Sequence, residues 1–251
     1  MASAKTVVLI TGGEYSNSGI GLELASQLLA VPSKHVLLGS RSVEKGEAAV
    51  KNLQSRDLSG TVELLHLDIA DAHSIEAAAQ TVTDKHGRLD VLVNNAAVGW
   101  PEGSTAEQFS QAFQTNATGP FLLVEACIAL LKASTHTPRI INVSSGGGSI
   151  RKRLDPTTST NKLGMWGIPY CASKASLNLI TAAQSAVYGA EGVKVFAYTP
   201  GFTVSGLGPH NNAESGARPT SEGAAPIVRI LNGERDDEHG GFLSSDGQYP
   251  W

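Results

Sequence analysis

The sequence has few of the features that mark secreted or membrane-spanning proteins. It contains only two cysteines in 251 residues, Cys127 and Cys171, and both fall in segments predicted to be helical. Two buried thiols in a reducing compartment are therefore expected rather than a disulfide framework. The longest apolar run, residues 121–131, includes Glu125 and is far shorter than the roughly 20 residues of a membrane span. Residues 1–5 lack a signal-peptide core, so we expect a cytoplasmic protein with no membrane partner.

Charge is sparse as well. Charged residues make up 17% of the chain, the formal net charge is −4, and the only compact basic cluster is residues 151–153. This pattern gives no electrostatic footprint for nucleic acid, so we predict no nucleic-acid partner. The histidines show no paired spacing that would place two metal ligands on one helix face, so we also predict no metal site. They are His35, His66, His73, His86, His136, His210 and His239.

What the chain does have is a regular alternation of short apolar runs and amphipathic segments. Hydrophobic residues make up 41% of the sequence, enough for the core of one domain over residues 1–251. The alternation predicts an α/β fold: a Rossmann-type, doubly wound parallel sheet of about seven strands with helices on both faces. Approximately residues 203–223, rich in Gly, Asn, Ser and Pro, are predicted to form a substrate loop or lid.

A glycine-rich turn follows the first predicted strand. Residues 11–21 read Thr-Gly-Gly-Glu-Tyr-Ser-Asn-Ser-Gly-Ile-Gly and lead into the first predicted helix. Glycines let backbone N–H groups and the helix N-terminus come close to a pyrophosphate, where the helix dipole favours negative charge. A purely structural strand-to-helix turn is the alternative, but the position after the first strand favours a dinucleotide.

The second predicted strand ends in Gly39-Ser40-Arg41, where an NAD-binding enzyme usually carries an acidic residue for the ribose hydroxyls. The guanidinium of Arg41 instead suits a 2′-phosphate, with a charged hydrogen bond contributing roughly 1.5–3 kcal/mol. The sequence therefore favours NADPH over NADH, unless Arg41 is an ordinary solvated side chain.

Tyr170 and Lys174 are four residues apart and share one face of a predicted helix. A phenol titrates near 10, and we expect a neighbouring ammonium to lower its pKa. This spacing is common on protein surfaces, so its context decides. Ser145 ends an apolar strand upstream, where a parallel sheet presents its ligand-facing edge.

In this order the motifs resemble the short-chain dehydrogenase/reductase family along nearly the whole chain, with carbonyl-reductase-like features. Asn116, Ser145, Tyr170 and Lys174 match its catalytic tetrad. The residues expected to contact NADP(H) are Gly12, Asn17, Ser18, Gly19, Ile20, Ser40, Arg41, Asp68, Ile69, Asn95, Ala96, Tyr170, Lys174, Pro200, Gly201, Thr203 and Ser205.

The resemblance implies a role for each member of the tetrad. Ser145 would hydrogen-bond the substrate oxygen, and Tyr170 would donate its proton as the nicotinamide delivers hydride. Lys174 would hold the nicotinamide ribose, and Asn116 would position a water molecule that links the lysine to solvent. The expected reaction is NADPH-dependent reduction of a ketone or aldehyde to an alcohol.

The sequence departs from the family pattern in three places. Gly12 and Gly19 are seven positions apart, three more than usual, and Ala97 replaces a glycine. Ser145 and Tyr170 are 25 positions apart, about a dozen more than usual, as in monomeric carbonyl reductases. The added segment can cover a face on which relatives pair, so a monomer and a homo-oligomer both stay open.

Large apolar residues near the catalytic motifs suggest a pocket for an apolar or aromatic carbonyl compound, with Trp166 and Phe202 the foremost candidates for substrate contact. Two other functions stay open. An alcohol dehydrogenase would run the same residues in the oxidative direction. A non-catalytic cofactor sensor would keep the fold without chemistry, although such proteins usually lose the tyrosine or the lysine.

Overall fold

The alternation in the sequence becomes an alternation of strands and helices in the structure, a computed structural model that describes residues 5–13 and 19–251. The strands are β1 Thr6–Thr11, β2 Lys34–Ser40, β3 Thr61–His66, β4 Val91–Asn94, β5 Arg139–Val143, β6 Lys194–Tyr198, β7 Phe242–Ser244 and β8 Gly247–Gln248. The α-helices are α1 Ile20–Leu29, α2 Val43–Gln54, α3 Ala72–His86, α4 Thr105–Phe113, α5 Gly119–Lys132, α6 Ile150–Leu154, α7 Ser159–Lys162, α8 Ile168–Gly189 and α9 Thr220–Leu231.

All eight strands belong to one sheet in the order β3-β2-β1-β4-β5-β6-β7-β8. Every pairing from β3 to β7 is parallel, and only β8 is antiparallel. The prediction of a doubly wound α/β sheet is confirmed, and its count of about seven strands is one short. The eighth strand has two residues, too few to produce a hydrophobic pattern in the sequence.

Helices cover both faces of the sheet, which explains why its central strands are apolar nearly throughout. On one face α1, α2 and α9 pack over a core that includes Leu24, Leu28 and Ile227. On the other face α3 and α5 pack over a core that includes Leu9 and Leu123. The two cysteines are free and buried, as expected. Over residues 5–13 and 19–251, no helix combines the length and apolar character of a membrane span.

Strand order reverses between β1 and β4, because β2 and β3 lie on one side of β1 while β4 to β6 lie on the other. In open parallel sheets such a reversal opens a crevice beyond the carboxyl ends of the strands. Here the segments that come after β1, β2, β4 and β5 carry Gly12, Arg41, Asn95 and Ser145. The topology therefore brings four of the sequence motifs to one edge.

Candidate active site

The turn after β1 is held against the end of β4. The Thr11 hydroxyl oxygen accepts hydrogen bonds from the backbone N–H groups of Asn95 (3.0 Å) and Ala96 (2.9 Å). The Asn95 side chain returns a bond from Nδ2 to the Thr11 carbonyl at 2.8 Å. Gly12 has φ +76°, and a Cβ atom there would lie 2.8 Å from the Cα of Ala96. Only glycine fits where the turn comes this close to the backbone of Ala96. The backbone of the turn, with no side chain over it at Gly12, faces the cleft.

The first helix begins at Ile20 after Gly19, whose φ of 125° suits glycine and which has no side chain to cap the first turn. The first-turn N–H groups of a helix have no partners within the helix, and an anion can satisfy them. This donor set fits a pyrophosphate. Asn17, Ser18 and the three extra positions of the turn lie outside the described residues.

A single cleft runs along the carboxyl edge of the sheet, from the phosphate turn to the tyrosine. Twelve of the sequence-predicted cofactor residues line it: Gly12, Gly19, Ile20, Arg41, Asp68, Ile69, Asn95, Ala96, Tyr170, Lys174, Pro200 and Ser205. Sequence reasoning did not single out Leu67, Val98 and Thr115, which also line the cleft. Their contribution is shape, which leaves no motif in a sequence.

Three predicted cofactor residues are not in the lining of this cleft. Ser40 is buried, and its hydroxyl donates to the Ser42 carbonyl at 2.8 Å. Thr203 is buried, and its hydroxyl donates to the Pro200 carbonyl at 2.8 Å. Gly201 has φ +70° and forms the bend between Pro200 and Thr203. In this structure these residues shape their loops rather than face the cleft.

Tyr170 is the third residue of α8, which starts behind Gly167 in the left-handed conformation and has a proline in its first turn. Its hydroxyl lies near that of Ser145, which comes after β5. The structure thus brings together two residues separated by 25 positions, and the intervening segment folds as a 3-10 turn followed by α6 and α7. Burial raises the pKa of Tyr170 to about 12, partly offset by Ser145, which lowers the pKa of the phenol.

Lys174 lies one helical turn further along α8 and is only 2% exposed. Its Nζ donates to the Val143 carbonyl at 2.8 Å and lies 5.9 Å from the centroid of the Tyr170 ring. Burial lowers the pKa of Lys174 to about 7. The sequence led us to expect a lowered pKa for Tyr170, but the net shift is upward, because desolvation by burial is its largest cause.

Asn116 is fully buried in a π-helical turn, Gln114–Thr118, between α4 and α5. Its side chain bonds both backbone groups of Val98, at 2.9 Å each, and donates to the Ser173 hydroxyl at 3.0 Å. Ser173 in turn donates to the Tyr170 carbonyl at 2.7 Å. The structure therefore connects Asn116 to the first turn of α8, a contact that the sequence did not predict.

The loop after β6 is fastened by Arg218, which sequence reasoning also missed. Its guanidinium donates from Nε to the Pro200 carbonyl at 2.9 Å and from Nη2 to the same oxygen, and from Nη1 to the Ser245 hydroxyl at 3.3 Å. Thr203 and Arg218 also form a parallel β-bridge. The only signal in the sequence is that Arg218 is the single charged residue between Glu214 and Glu222.

A second cleft meets the first at Tyr170 and is largely apolar and aromatic. Trp100 and Trp166 pack with ring centroids 4.2 Å apart, and Trp100 lies 5.8 Å from the ring of Tyr170. Trp166, a predicted substrate contact, lines this cleft. Phe202, the other one, is 47% exposed and is in the lining of neither cleft. Its loop conformation turns it toward solvent.

The geometry supports acid–base chemistry beside a bound dinucleotide. A glycine turn and the N-terminus of α1 fit a pyrophosphate at one end of the first cleft, while Tyr170 and Lys174 lie at the other, with the Ser145 hydroxyl beside Tyr170. A small molecule in the second cleft would approach the same phenol.

Comparison with known proteins finds a matching family model and similar proteins. A family model described as short chain dehydrogenase matches residues 6–215. Short-chain dehydrogenase anuI of Penicillium roqueforti is 35% identical over 250 residues, covering 98% of this chain and 96% of the relative. Human retinol dehydrogenase 13 is 35% identical over 228 residues, covering 89% of this chain and 66% of the relative.

A similar solved structure is that of an NADPH-bound carbonyl reductase from chicken fatty liver. It superposes with a TM-score of 0.83 at 26% identity and covers 99% of this chain and 100% of its own. Salutaridine reductase from Papaver somniferum superposes with a TM-score of 0.78 at 25% identity, covering 95% of this chain and 99% of its own.

Proposed function

The chain belongs to the short-chain dehydrogenase family, and from that premise we propose that it is an NADPH-dependent reductase that converts a ketone or aldehyde to an alcohol. The observation that carries the proposal is one continuous cleft that begins at the phosphate turn and Arg41 and ends at Tyr170 and Lys174. The residues that line this cleft suit a dinucleotide whose reactive end meets a proton donor.

NADPH, when bound, supplies the hydride for the carbonyl carbon. The side chains supply the rest. The Ser145 hydroxyl donates a hydrogen bond to the substrate oxygen and orients it toward Tyr170. As negative charge develops on that oxygen, the Tyr170 hydroxyl transfers its proton to it. Lys174 lies 5.9 Å from the ring centroid, and its protonated form, partly populated at neutral pH because its pKa is about 7, stabilises the resulting phenolate.

Asn116 acts as a positioning residue in this proposal. Its bond to Ser173, and the bond from Ser173 to the Tyr170 carbonyl, hold the first turn of α8 against the Val98 segment. The water relay that the family resemblance implies would pass close to this point. Asn116 therefore fixes where the phenol stands in relation to the cleft.

Tyr170 is protonated at neutral pH, as a proton donor must be. A phenol with a pKa of about 12 is fully protonated at neutral pH, and that is the form a reductase needs in its proton donor. An alcohol dehydrogenase working at the same pH needs the phenolate as a base. The same residues catalyse both directions, and it is the proposed cofactor NADPH, a hydride donor, that favours carbonyl reduction.

Three features support NADPH as the cofactor. No carboxylate comes directly after Ser40 at the end of β2, Arg41 lines the cleft there, and the carbonyl reductase from chicken fatty liver was solved with NADPH bound. The aromatic second cleft, with Trp100 and Trp166, supports a planar or aromatic carbonyl compound as substrate.

The test is to follow NADPH absorbance while a panel of ketones, aldehydes, quinones and imines is screened, with NADP⁺ and the matching alcohols as the reverse arm. We expect NADPH oxidation with at least one aryl ketone or aldehyde, faster than the reverse reaction at pH 7. Tight NADPH binding with no turnover in either direction would favour the cofactor-sensing alternative.

A further inference from the structure

Three potential metal ligands meet at the amino-terminal end of the sheet, away from the cleft. His35 lies in β2, Glu63 in β3, and His86 at the end of α3. His86 Nε2 is 3.0 Å from Glu63 Oε1, and His35 Nε2 is 3.8 Å from the same oxygen. One ligand atom from each of the three residues lies within 4.8 Å of the others. His35 is five residues before the end of β2 at Ser40, about 16 Å along the strand, so this cluster is separate from the active site.

The fold explains why these side chains meet. His35 pairs with Thr61 and Leu37 pairs with Glu63 in the parallel ladder between β2 and β3. Side chains two residues apart on a strand share a face, so His35 and Glu63 lie on the same face of the sheet. Helix α3 packs on that face, and its last turn brings His86 over the two strands. The ring centroids of the two histidines are 5.1 Å apart.

One tautomer of His35 leaves its buried ring nitrogen, Nε2, able to coordinate a metal ion. Nδ1 is 2.7 Å from the Thr61 hydroxyl oxygen, which also accepts a bond from Lys5 Nζ at 3.2 Å. In the tautomer that carries the proton on Nδ1, the Thr61 hydroxyl oxygen accepts a hydrogen bond from that N–H and Nε2 keeps its lone pair. His35 Nε2 is buried and has no hydrogen-bond partner among the residues that the structure describes. Histidine ligands of metals typically donate their other ring N–H to such an acceptor.

We propose that His35, Glu63 and His86 form a binding site for one divalent transition-metal ion, of which Zn²⁺ fits best. Two imidazole nitrogens and one carboxylate oxygen are zinc ligands, and water takes the fourth position on the partly exposed side. Ligand atoms about 2.0 Å from a tetrahedral zinc ion are about 3.3 Å apart. The separations of Glu63 Oε1 from His86 Nε2 (3.0 Å) and His35 Nε2 (3.8 Å) bracket that value, and all three ligand atoms lie within 4.8 Å of one another. Metal binding replaces the hydrogen bond between His86 and Glu63 and draws the two imidazoles together.

One cation competes with the metal for the carboxylate. Lys85 Nζ lies 3.5 Å from Glu63 Oε2, and Lys5 adds positive charge on the other side of His35. A bound ion must weaken the pairing of Lys85 with Glu63. Removing the charge of Lys85 should therefore tighten metal binding, whereas removing a ligand should weaken it. These opposite effects distinguish a metal site from an ordinary cluster of hydrogen bonds.

The test uses the full chain, freed of any histidine tag and treated with a chelator, with Zn²⁺ titrated against a chromophoric chelator. We expect one equivalent of tightly bound zinc in the wild type, lost in His35→Gln and in Glu63→Gln. Lys85→Gln should bind more tightly, and Thr61→Val, which removes the acceptor for Nδ1, should bind on the order of 10- to 100-fold more weakly. Co²⁺ in place of zinc should give the visible absorption of a tetrahedral site.

The control variant is His73→Gln. The side chain of His73 is 95% exposed and has Glu76 beside it at 3.8 Å, so it resembles the site in composition without its burial. It should keep the full equivalent of zinc. Circular dichroism and melting temperature establish that each variant is folded. Equal zinc binding in folded His35→Gln and wild type, or no stoichiometric zinc in the wild type, would overturn the proposal.

Discussion

Replacing Lys174 by methionine isolates the free energy required to bury an amine beside the catalytic phenol. The side chain is 2% exposed, and no carboxylate forms an ion pair with it among residues 5–13 and 19–251. Burial lowers its pKa to about 7 from 10.5. Between these values the folded protein holds a neutral lysine and the unfolded chain a charged one, so unfolding takes up a proton and stability rises with pH.

The expected size follows from about 1.4 kcal/mol per pH unit for one proton. Relative to low pH, the gain in the free energy of unfolding is complete above about pH 10.5. It is lost as the pH falls through about 7, where the buried lysine becomes charged. Between pH 7 and pH 9 the wild type should gain about 2–3 kcal/mol relative to Lys174→Met. The methionine variant also leaves the Val143 carbonyl without its donor, but that cost of about 1–3 kcal/mol does not change with pH.

The assay is urea unfolding of both proteins at pH 7, 8 and 9, followed by tryptophan fluorescence. Other titrating groups contribute equally to both proteins, so the difference between their unfolding free energies reports Lys174 alone. A difference that stays constant across this range would show that Lys174 is not desolvated in the folded protein, and the reasoning about its pKa would be refuted.

Three further substitutions test other parts of the site. Arg41→Ala should reduce the preference for NADPH over NADH by roughly 10- to 100-fold in kcat/KM, since a charged hydrogen bond contributes about 1.5–3 kcal/mol; an unchanged preference would remove Arg41 from that role. At Gly12, φ is +76° and an added Cβ atom would lie 2.8 Å from the backbone of Ala96, whereas at Gly192 φ is +87° and no atom of the described residues lies within 4 Å of such a Cβ. Gly12→Ala should therefore weaken NADPH binding and lower Tm more than Gly192→Ala. Equal losses in the two variants would contradict the close packing of the turn. Trp166→Ala should raise KM for an aromatic ketone roughly tenfold and leave an acetaldehyde-sized substrate unaffected, with Leu154→Ala as the exposed control.

The fold and the position of the main site residues could be predicted because both depend on local sequence patterns. Apolar runs alternating with amphipathic segments dictate a parallel sheet, and a parallel sheet gathers the carboxyl ends of its strands at one edge. That rule alone brings Gly12, Asn95 and Ser145 together. Tyr170 and Lys174 share a face because the helix repeat places them there.

The features that the sequence could not provide depend on tertiary packing. The pKa of Tyr170 rises instead of falling because the side chain is buried. The spacing of four residues between Tyr170 and Lys174 does not reveal that burial. Phe202 turns outward because Arg218 sets the path of its loop. His35 meets Glu63 and His86, 28 and 51 positions later, only because two strands and a helix pack together. Histidine spacing in the sequence therefore gave no sign of this cluster and predicted no metal site.

The most direct measurement of the central claim is isotope transfer from NADPH carrying deuterium at the transferred C4 position. With an accepted ketone, mass spectrometry should find one deuterium on the carbinol carbon of the product from the wild type. Tyr170→Phe should bind NADPH normally and yield no labelled alcohol within the assay time. Labelled product from Tyr170→Phe at the wild-type rate, or unlabelled alcohol from the wild type, would contradict the account.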